Sequence, residues 1–197
     1  MTTDISYYHK GDNAALIRKV IDLGLIKGSD EILDATYGSG SWWKGLTCFD
    51  ITSNDLYNGD ANHAYDFRAF PEAWEDGFDV VAYDPPYKLN GTGGEADERY
   101  GCNDKVTVND RKTLILQGFR GCSEVLRPGG YMLVKVQDQV AGGHVHWLTF
   151  DLMTIAPAYR LTLVDRFDMP PARPQPANRR QVHARRGSTL MVFKKGK

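Results

Sequence analysis

Cysteine is scarce in this chain of 197 residues, and long hydrophobic runs are absent from it. The 3 cysteines, Cys48, Cys102 and Cys122, are widely spaced and odd in number, so they form neither a metal-binding pattern nor a disulfide framework. We therefore expect a reducing, cytoplasmic environment and no bound metal. No run reaches the roughly 18 apolar residues of a membrane-spanning helix, and no apolar stretch follows a basic start, which argues against a secretory signal.

Charge is nearly balanced, with a net charge of −1, and this balance alone does not indicate a nucleic-acid partner. The distribution is uneven, because residues 173–197 contain eight Lys or Arg and no acid, whereas residues 50–84 are rich in acids. A local basic stripe of this kind is typical of a face that meets phosphates. A solvated basic tail would give the same pattern, so both interpretations stay open.

Hydrophobic periodicity predicts alternating helices and strands in a single domain that spans residues 1–197. Helices are predicted over 13–26, ending at Gly28, over 109–126 and over 146–155. Strands are predicted over 31–35, 46–52, 78–83, 131–136, 161–166 and 188–193. This alternation indicates an α/β fold with a parallel sheet and helical crossovers. The long segments 88–108 and 168–187, enriched in glycine or proline, are candidate substrate-binding loops.

The first candidate site is the run Asp34-Ala35-Thr36-Tyr37-Gly38-Ser39-Gly40, which follows a predicted buried strand. Glycine lacks a Cβ and accepts positive φ, so such a turn lets the backbone approach a ligand at the carboxyl end of a strand. An acid near the end of the next strand would suit the two hydroxyls of a ribose. Asp55 is the first choice for that acid and Asp50 the second. A purely structural turn would also explain the glycines.

The second candidate site is Asp84-Pro85-Pro86-Tyr87, directly after the continuous apolar strand FDVVAY. The two prolines fix φ and remove two backbone donors, so the loop presents the Asp84 carboxylate and backbone carbonyls as acceptors. The exocyclic amine of a nucleic-acid base is a poor nucleophile, because its lone pair is delocalised into the ring. Two acceptors on its N–H bonds would favour a pyramidal nitrogen whose lone pair faces an electrophile. Tyr87 could stack on the base, a contact worth about 1–3 kcal/mol.

The runs LDATYGSG and FDVVAYDPPY resemble motifs I and IV of the amino-methyltransferases, which methylate adenine N6, cytosine N4 or guanine N2. YDPPYKLNGTGG, LRPGGYMLVKVQDQV and RRQVHARRGSTLMVFKKG further resemble small DNA methylases of bacteriophages and bacteria. The resemblance implies a Rossmann-like S-adenosylmethionine-dependent methyltransferase fold, with a mostly parallel seven-stranded sheet flanked by helices. It also implies methylation of adenine N6 in DNA, because the Asp-Pro-Pro-Tyr spelling is commonest among the adenine enzymes.

Position by position, the resemblance implies which residues form the site. The methionine end of S-adenosylmethionine is assigned to Asp34, Thr36, Tyr37, Gly38 and Gly40, the ribose to Asp55, and the adenine ring to Asp66 and Phe67. The catalytic residues are Asp84, Pro85, Pro86 and Tyr87. The chain leaves no room for the large target-recognition insertion of many such enzymes, so nucleic-acid contacts are expected from Lys88, Asn90, Arg99, Tyr100, Arg179, Arg180, Arg185 and Arg186. Solvated loop charge would explain these residues as well.

Other interpretations of the chain stay open. An RNA base methyltransferase or a cytosine N4 methyltransferase would use the same chemistry, and an inactive nucleic-acid-binding subunit would keep the fold, although the intact glycine turn argues against the last. A dehydrogenase is disfavoured, because Trp43 stands where the third glycine of Gly-x-Gly-x-x-Gly would be. Five residues receive no functional role. His144 and His146 are interpreted as surface or capping groups, and Lys135 as a buried amine. Trp42 and Trp43 are expected to pack a helix that follows the glycine turn against the sheet.

Overall fold

The structure, a computed structural model, describes residues 6–89, 107–171, 183–184 and 186–197, so most of the two long loops lies outside it. The helices are α1 (Asn13–Asp22), α2 (Val108–Val125) and α3 (Leu148–Ile155). The strands are β1 (Ile32–Asp34), β2 (Ile51–Ser53), β3 (Phe78–Tyr83), β4 (Leu126–Gln137), β5 (Gln139–Ala141), β6 (His144–His146), β7 (Leu161–Asp168) and β8 (Ser188–Lys195). No helix in this described part has the length and apolar character needed to cross a membrane.

The main sheet has the strand order β2-β1-β3-β4-β8-β7. The first four strands pair in parallel, whereas β8 runs antiparallel to both β4 and β7. Only β8 therefore opposes the common strand direction. This confirms the predicted α/β fold with a mostly parallel sheet, although the described residues form six strands in it rather than seven. Strands β5 and β6 form a separate hairpin after β4.

Two apolar clusters cover opposite faces of this sheet. Helix α1 places Leu16 on one face, in the same cluster as Val80 of β3. Helices α2 and α3 place Phe119 and Leu152 on the other face, in the same cluster as Val81. Neighbouring residues of β3 thus face opposite layers, as the two-residue period of a strand requires. The carboxyl end of β3 is held from both sides, which fixes the start of the loop that follows it.

Helix α1 is shorter than the predicted helix over 13–26. Its first turn is capped by Asp12, whose carboxylate accepts a hydrogen bond from Ala15 N at 2.8 Å. The helix ends early because Gly24 has a φ of 75° and donates its amide hydrogen back to the last turn. Gly24, and not Gly28, is therefore the residue that stops the helix.

The remaining predicted elements agree in kind, with shifted ends. Strand β3 has the predicted bounds, but β2 covers only the end of the predicted strand 46–52. Strand β4 begins at Leu126, because residues 127–130 continue the strand through a register shift instead of turning. Residues 144–146 pair as β6, so the predicted helix over 146–155 begins only at Leu148.

Two glycines of α2 allow the helix to approach its neighbours closely. A Cβ at Gly118 would collide with the Tyr83 hydroxyl, and a Cβ at Gly121 would collide with the backbone carbonyl of Phe67. The Tyr83 hydroxyl lies this near because it donates to a helix carbonyl. The glycines therefore set the distance between α2, β3 and the loop around Phe67.

Gly121→Ala should destabilise the protein, although alanine is the better helix former by about 1 kcal/mol. The added methyl would meet the Phe67 carbonyl, a backbone atom that cannot yield without moving its loop. We expect a net loss of about 1–3 kcal/mol in the free energy of unfolding, measured by urea denaturation. Gly28→Ala is the matched control, because nothing lies within 4 Å of its Cβ position. A Gly121 variant as stable as the wild type would contradict the close approach.

Candidate active site

Three charged side chains meet where neighbouring parallel strands end. Asp34 is the last residue of β1, Asp84 follows the last residue of β3, and Lys135 lies near the end of β4. The in-register pairing of these strands brings the three positions to one edge of the sheet. The carboxyl edge of a parallel sheet is where open α/β folds bind their ligands.

Asp84 is fixed through its backbone and through one carboxylate oxygen. Its amide donates to Thr36 Oγ1 at 2.7 Å, which ties the loop after β3 to the turn after β1. Its Oδ2 accepts from Trp42 Nε1 at 3.2 Å and from the Lys135 ammonium at 3.1 Å. Among the described residues, no protein donor contacts Oδ1. One oxygen is therefore held in place, and the other can accept from a ligand.

The glycine turn has the conformation that the sequence predicts. Gly38 and Gly40 have φ values of 55° and 66°, which residues with side chains rarely adopt. Asp55, just beyond β2, stabilises this turn, because its Oδ2 accepts from Gly38 N at 2.9 Å. Its Oδ1 accepts from Tyr57 N and Asn58 N, both at 3.0 Å. Asp55 thus joins the glycine turn to the following loop in addition to any ligand contact.

Asp34 is buried, with 3% of its surface exposed. Its Oδ2 accepts from Trp43 Nε1 at 2.7 Å, and its Oδ1 accepts from Thr36 N at 3.1 Å. Burial strips water from the charged form and raises the pKa of Asp34 from 3.8 to about 7. The two hydrogen bonds oppose this rise, and the nearby charges of Asp84 and Asp55 add to it. Asp34 therefore changes its charge near neutral pH.

A first cavity of about 390 Å³ opens beside the Asp84 loop, within the range of about 300–1,000 Å³ typical of small-molecule sites. Its lining includes the predicted site residues Thr36, Asp55, Asp66, Phe67, Asp84 and Pro86, and the first turns of α2 close another side. Four other predicted cofactor residues are not among those that line it, namely Asp34, Tyr37, Gly38 and Gly40. Their contacts instead shape the strand end and turn that adjoin the cavity.

Asp66 and Phe67 line this cavity but also contact protein groups. Arg68 binds the Asp66 carboxylate, with its Nε 2.9 Å from both oxygens. This hydrogen-bonded guanidinium holds the pKa of Asp66 below its ordinary value. The Phe67 ring packs edge-on against Tyr83, with ring centroids 5.4 Å apart. The negative charge of Asp66 is therefore already paired with Arg68, and Phe67 contributes apolar surface to the cavity.

A second cavity of about 530 Å³ lies beside Tyr87. It is lined by Lys10, Gly11, Tyr87, Lys135, Gln137, Met169, Pro170, Pro171 and Ser188. The N-terminal segment contributes to this wall because its backbone pairs with Asp168 at the end of β7. The ion pair of Asp84 and Lys135 connects the two cavities, since Asp84 lines the first and Lys135 the second.

Two of the predicted nucleic-acid-binding residues lie in the described part of the chain. Lys88 is exposed and directly follows Tyr87. The Arg186 guanidinium lies over the ring of Trp147, 4.1 Å from its centroid. The other six predicted residues, Asn90, Arg99, Tyr100, Arg179, Arg180 and Arg185, lie outside the described residues.

No protein-family model matches the sequence, and no curated protein matches it. Among solved structures, an S-adenosylmethionine-dependent methyltransferase from Clostridium acetobutylicum is similar with a TM-score of 0.55 and 14% identity, over 94% of this chain and 91% of that one. The N-methyltransferase NodS from Bradyrhizobium japonicum is similar with a TM-score of 0.54 and 16% identity, over 91% of this chain and 94% of that one. A third similar structure is the 1,6-didemethyltoxoflavin-N1-methyltransferase from Burkholderia thailandensis, solved with S-adenosylhomocysteine bound. Its TM-score is 0.52 and its identity 16%, over 94% of this chain and 77% of that one.

The fold is that of the S-adenosylmethionine-dependent methyltransferases. The three structures align with 91–94% of this chain, so the similarity concerns the fold of the chain and not one segment of it.

Three residues in this methyltransferase fold have site contacts that the sequence analysis missed. Trp42 and Trp43 are buried as predicted, but each indole N–H also donates to a site carboxylate. They lie in consecutive turns over residues 41–45, where a helix was expected. Lys135, given no role from the sequence, forms the ion pair with Asp84. Buried indole N–H groups and buried ammonium groups need acceptors, so the strand-end acids were the available signal.

The two histidines given no role lie in the hairpin after β4. His144 and His146 are the ends of β6, and the His146 ring nitrogen Nε2 is 3.2 Å from Ala141 O. Within the described residues, no group of three or more His, Cys, Asp or Glu side chains is arranged to hold a metal ion.

Asp34 should make the protein less stable as the pH rises toward neutral. Its pKa is about 7 in the fold and near 3.8 in the unfolded chain, so the folded state binds the proton more tightly. The stabilisation by this proton is fully present below about pH 4 and is lost as the pH rises through about 7. Asp34→Asn should therefore lose less unfolding free energy between about pH 5 and pH 8 than the wild type, measured by urea denaturation. Parallel pH profiles would contradict the raised pKa.

Proposed function

We propose that this chain transfers the methyl group of S-adenosylmethionine to the exocyclic N6 amine of adenine in DNA. The observation that carries the proposal is the position of the Asp84-Pro85-Pro86-Tyr87 loop between the two cavities. Asp84 and Pro86 line the first cavity, and Tyr87 lines the second. A loop rich in acceptors thus borders space for a methyl donor on one side and space for a planar acceptor on the other.

The first cavity has the groups that fit the cofactor. S-adenosylmethionine, when bound, supplies the methyl group in electrophilic form on a positively charged sulfur. The Asp55 carboxylate lines the cavity and suits the hydroxyls of a ribose. Phe67 and Leu114 offer apolar surface of the kind that adenine rings contact. The similar toxoflavin methyltransferase, which holds S-adenosylhomocysteine, supports the same choice.

The Asp84 loop suits an amine as the methyl acceptor. Trp42 and Lys135 hold Oδ2, so Oδ1 can accept one N–H of the amine, and the Pro85 carbonyl can accept the other. Both acceptors act without reorganisation, because the prolines and the contact to Thr36 fix the loop. The amine nitrogen then presents its lone pair toward the first cavity. After gaining the methyl group it can release a proton to Asp84.

Adenine in DNA is the substrate that the sequence motifs favour. The Asp-Pro-Pro-Tyr spelling resembles the adenine N6 methylases, and the basic run over 173–197 supports a phosphate-bearing partner. Two of the similar structures are named N-methyltransferases, which agrees with nitrogen as the methyl acceptor.

Transfer of tritium from labelled S-adenosylmethionine tests the proposal. The purified protein is incubated with adenine-methyl-free DNA, with RNA and with free nucleosides, and the modified base is identified by mass spectrometry. We expect label in DNA as N6-methyladenine. Label only in RNA, in cytosine or in free nucleosides would contradict the substrate, and no heat of S-adenosylmethionine binding in calorimetry would contradict the enzyme itself.

Asp84→Ala should abolish methyl transfer and leave cofactor binding nearly intact. The variant removes the acceptor on the amine but no group assigned to the ribose. A residual rate above about one tenth of the wild type, a loss below about 1.4 kcal/mol, would contradict the catalytic role. Asp79→Ala is the matched control, because Asp79 lies on β3, the strand that leads to Asp84. Its carboxylate is 2.8 Å from the Arg127 guanidinium, and this ion pair lies away from the site. It should keep the wild-type rate.

Asp55→Ala should show the opposite pattern, with weaker cofactor binding. The variant loses a carboxylate that lines the first cavity and also holds Gly38 N. We expect the dissociation constant for S-adenosylmethionine, measured by calorimetry, to rise by about tenfold or more, since hydrogen bonds to charged groups contribute about 1.5–3 kcal/mol. Unchanged affinity would remove Asp55 from the cofactor site.

A further inference from the structure

Lys135 has more hydrogen-bond donors than its salt bridge with Asp84 requires. It is 7% exposed, and its ammonium lies 3.1 Å from Asp84 Oδ2. An ammonium group carries three donors and no acceptor. Within the described residues, Asp84 is the only hydrogen-bond partner of this ammonium, and Lys135 also lines the second cavity. Two donors therefore remain for a ligand in that cavity.

Asp84 and Lys135 together present an acceptor beside a donor. The acceptor is Oδ1 of Asp84, which no described donor contacts, because Trp42 and Lys135 both take Oδ2. Adenine carries the complementary pair on one edge, since its N6 amine donates and the adjacent ring nitrogen N1 accepts. Cytosine carries the same pair at its N4 amine and N3.

We propose that Lys135 is a specificity-determining residue that donates a hydrogen bond to the ring nitrogen next to the reacting amine. This inference rests on the proposed function and adds a second contact to the base. Asp84 Oδ1 accepts the N6 hydrogen while Lys135 donates to N1, and Tyr87 lines the same cavity for the base face. A site built to bond such a ring nitrogen rejects a base that has C–H in its place, because a buried donor is then left without an acceptor.

Adenine analogues in DNA separate this contact from simple positioning of Asp84. The target adenine is replaced by 1-deazaadenine, which has C–H at N1, or by 7-deazaadenine, which keeps N1. We expect the wild type to lose about 10- to 100-fold in kcat/KM on 1-deazaadenine and at most about threefold on 7-deazaadenine. An equal loss on both analogues would overturn the proposal.

The variant Lys135→Met closes a double-mutant cycle between the residue and the substrate atom. On adenine it should lose about 10- to 100-fold, but changing adenine to 1-deazaadenine should cost it at most about threefold more. Differences between the bases in pairing and in intrinsic reactivity cancel, because both enzymes meet the same two substrates. If Lys135 only positioned Asp84, both enzymes would lose the same factor on 1-deazaadenine, and the proposal would be wrong.

Lys195→Met is the matched control for removing a buried lysine. Lys195 is 9% exposed and pairs with Asp76 at 2.9 Å, but it lines neither of the two cavities. Its variant should lose stability and keep the wild-type ratio of rates on the two bases. If Lys135→Met fails to fold, the wild-type comparison can still overturn the proposal, because equal rates on adenine and on 1-deazaadenine would exclude a contact with N1. A wild type that methylates adenine and 1-deazaadenine equally well overturns this inference alone. A wild type that methylates no DNA overturns the proposed function as well.

Discussion

Two carboxylates at the end of the sheet, Asp34, which is buried, and Asp84, which is partly buried, need hydrogen-bond donors, and much of the site follows from that requirement. Taking a charged group out of water costs several kcal/mol unless it is paired. Asp34 is satisfied by Trp43, and Asp84 by Trp42 and Lys135. The donors come from the turn after β1 and from β4, so each carboxylate joins segments that are distant in sequence. The hydrogen bonds to Asp34 do not fully offset the cost of burying its charge, so its pKa is raised to about 7.

The same contacts account for the division of the site into two cavities. The Asp84 loop is fixed between the cavities, because the Asp84 amide donates to Thr36 and its Oδ2 accepts from both Trp42 and Lys135. A carboxylate anchored in this way presents its second oxygen in a fixed direction, which is the condition for electrostatic preorganisation. The close packing of Gly118 and Gly121 adds to this rigidity, since it sets α2 directly against β3 and the loop that borders the first cavity.

Local signals predicted much of this fold. The continuous apolar run of β3 and the glycines of the turn after β1 were located correctly, because burial on both faces and positive φ are properties of short segments. The end of α1 was misplaced because two glycines compete to stop it, and only Gly24 adopts the required conformation. The need of Lys135 for an acidic partner could have been predicted from its place on a buried strand, but the choice of Asp84 could not, since it depends on β4 lying next to β3 in register. The side chains that would meet a nucleic acid fall largely outside the described residues.

The two buried lysines of the sheet show why Lys135 calls for a functional explanation. Lys195 donates to the carbonyls of Ser123 and Leu126 at 2.8 and 2.6 Å, besides its ion pair, so its burial satisfies backbone groups that would otherwise lack partners. The Lys135 ammonium has only Asp84 as a hydrogen-bond partner among the described residues. A buried ion pair is weak evidence for stability, because well-packed apolar residues often serve as well or better. A lysine kept at the edge of the second cavity, with donors left over, is therefore better explained by what it offers a ligand than by what it adds to the fold.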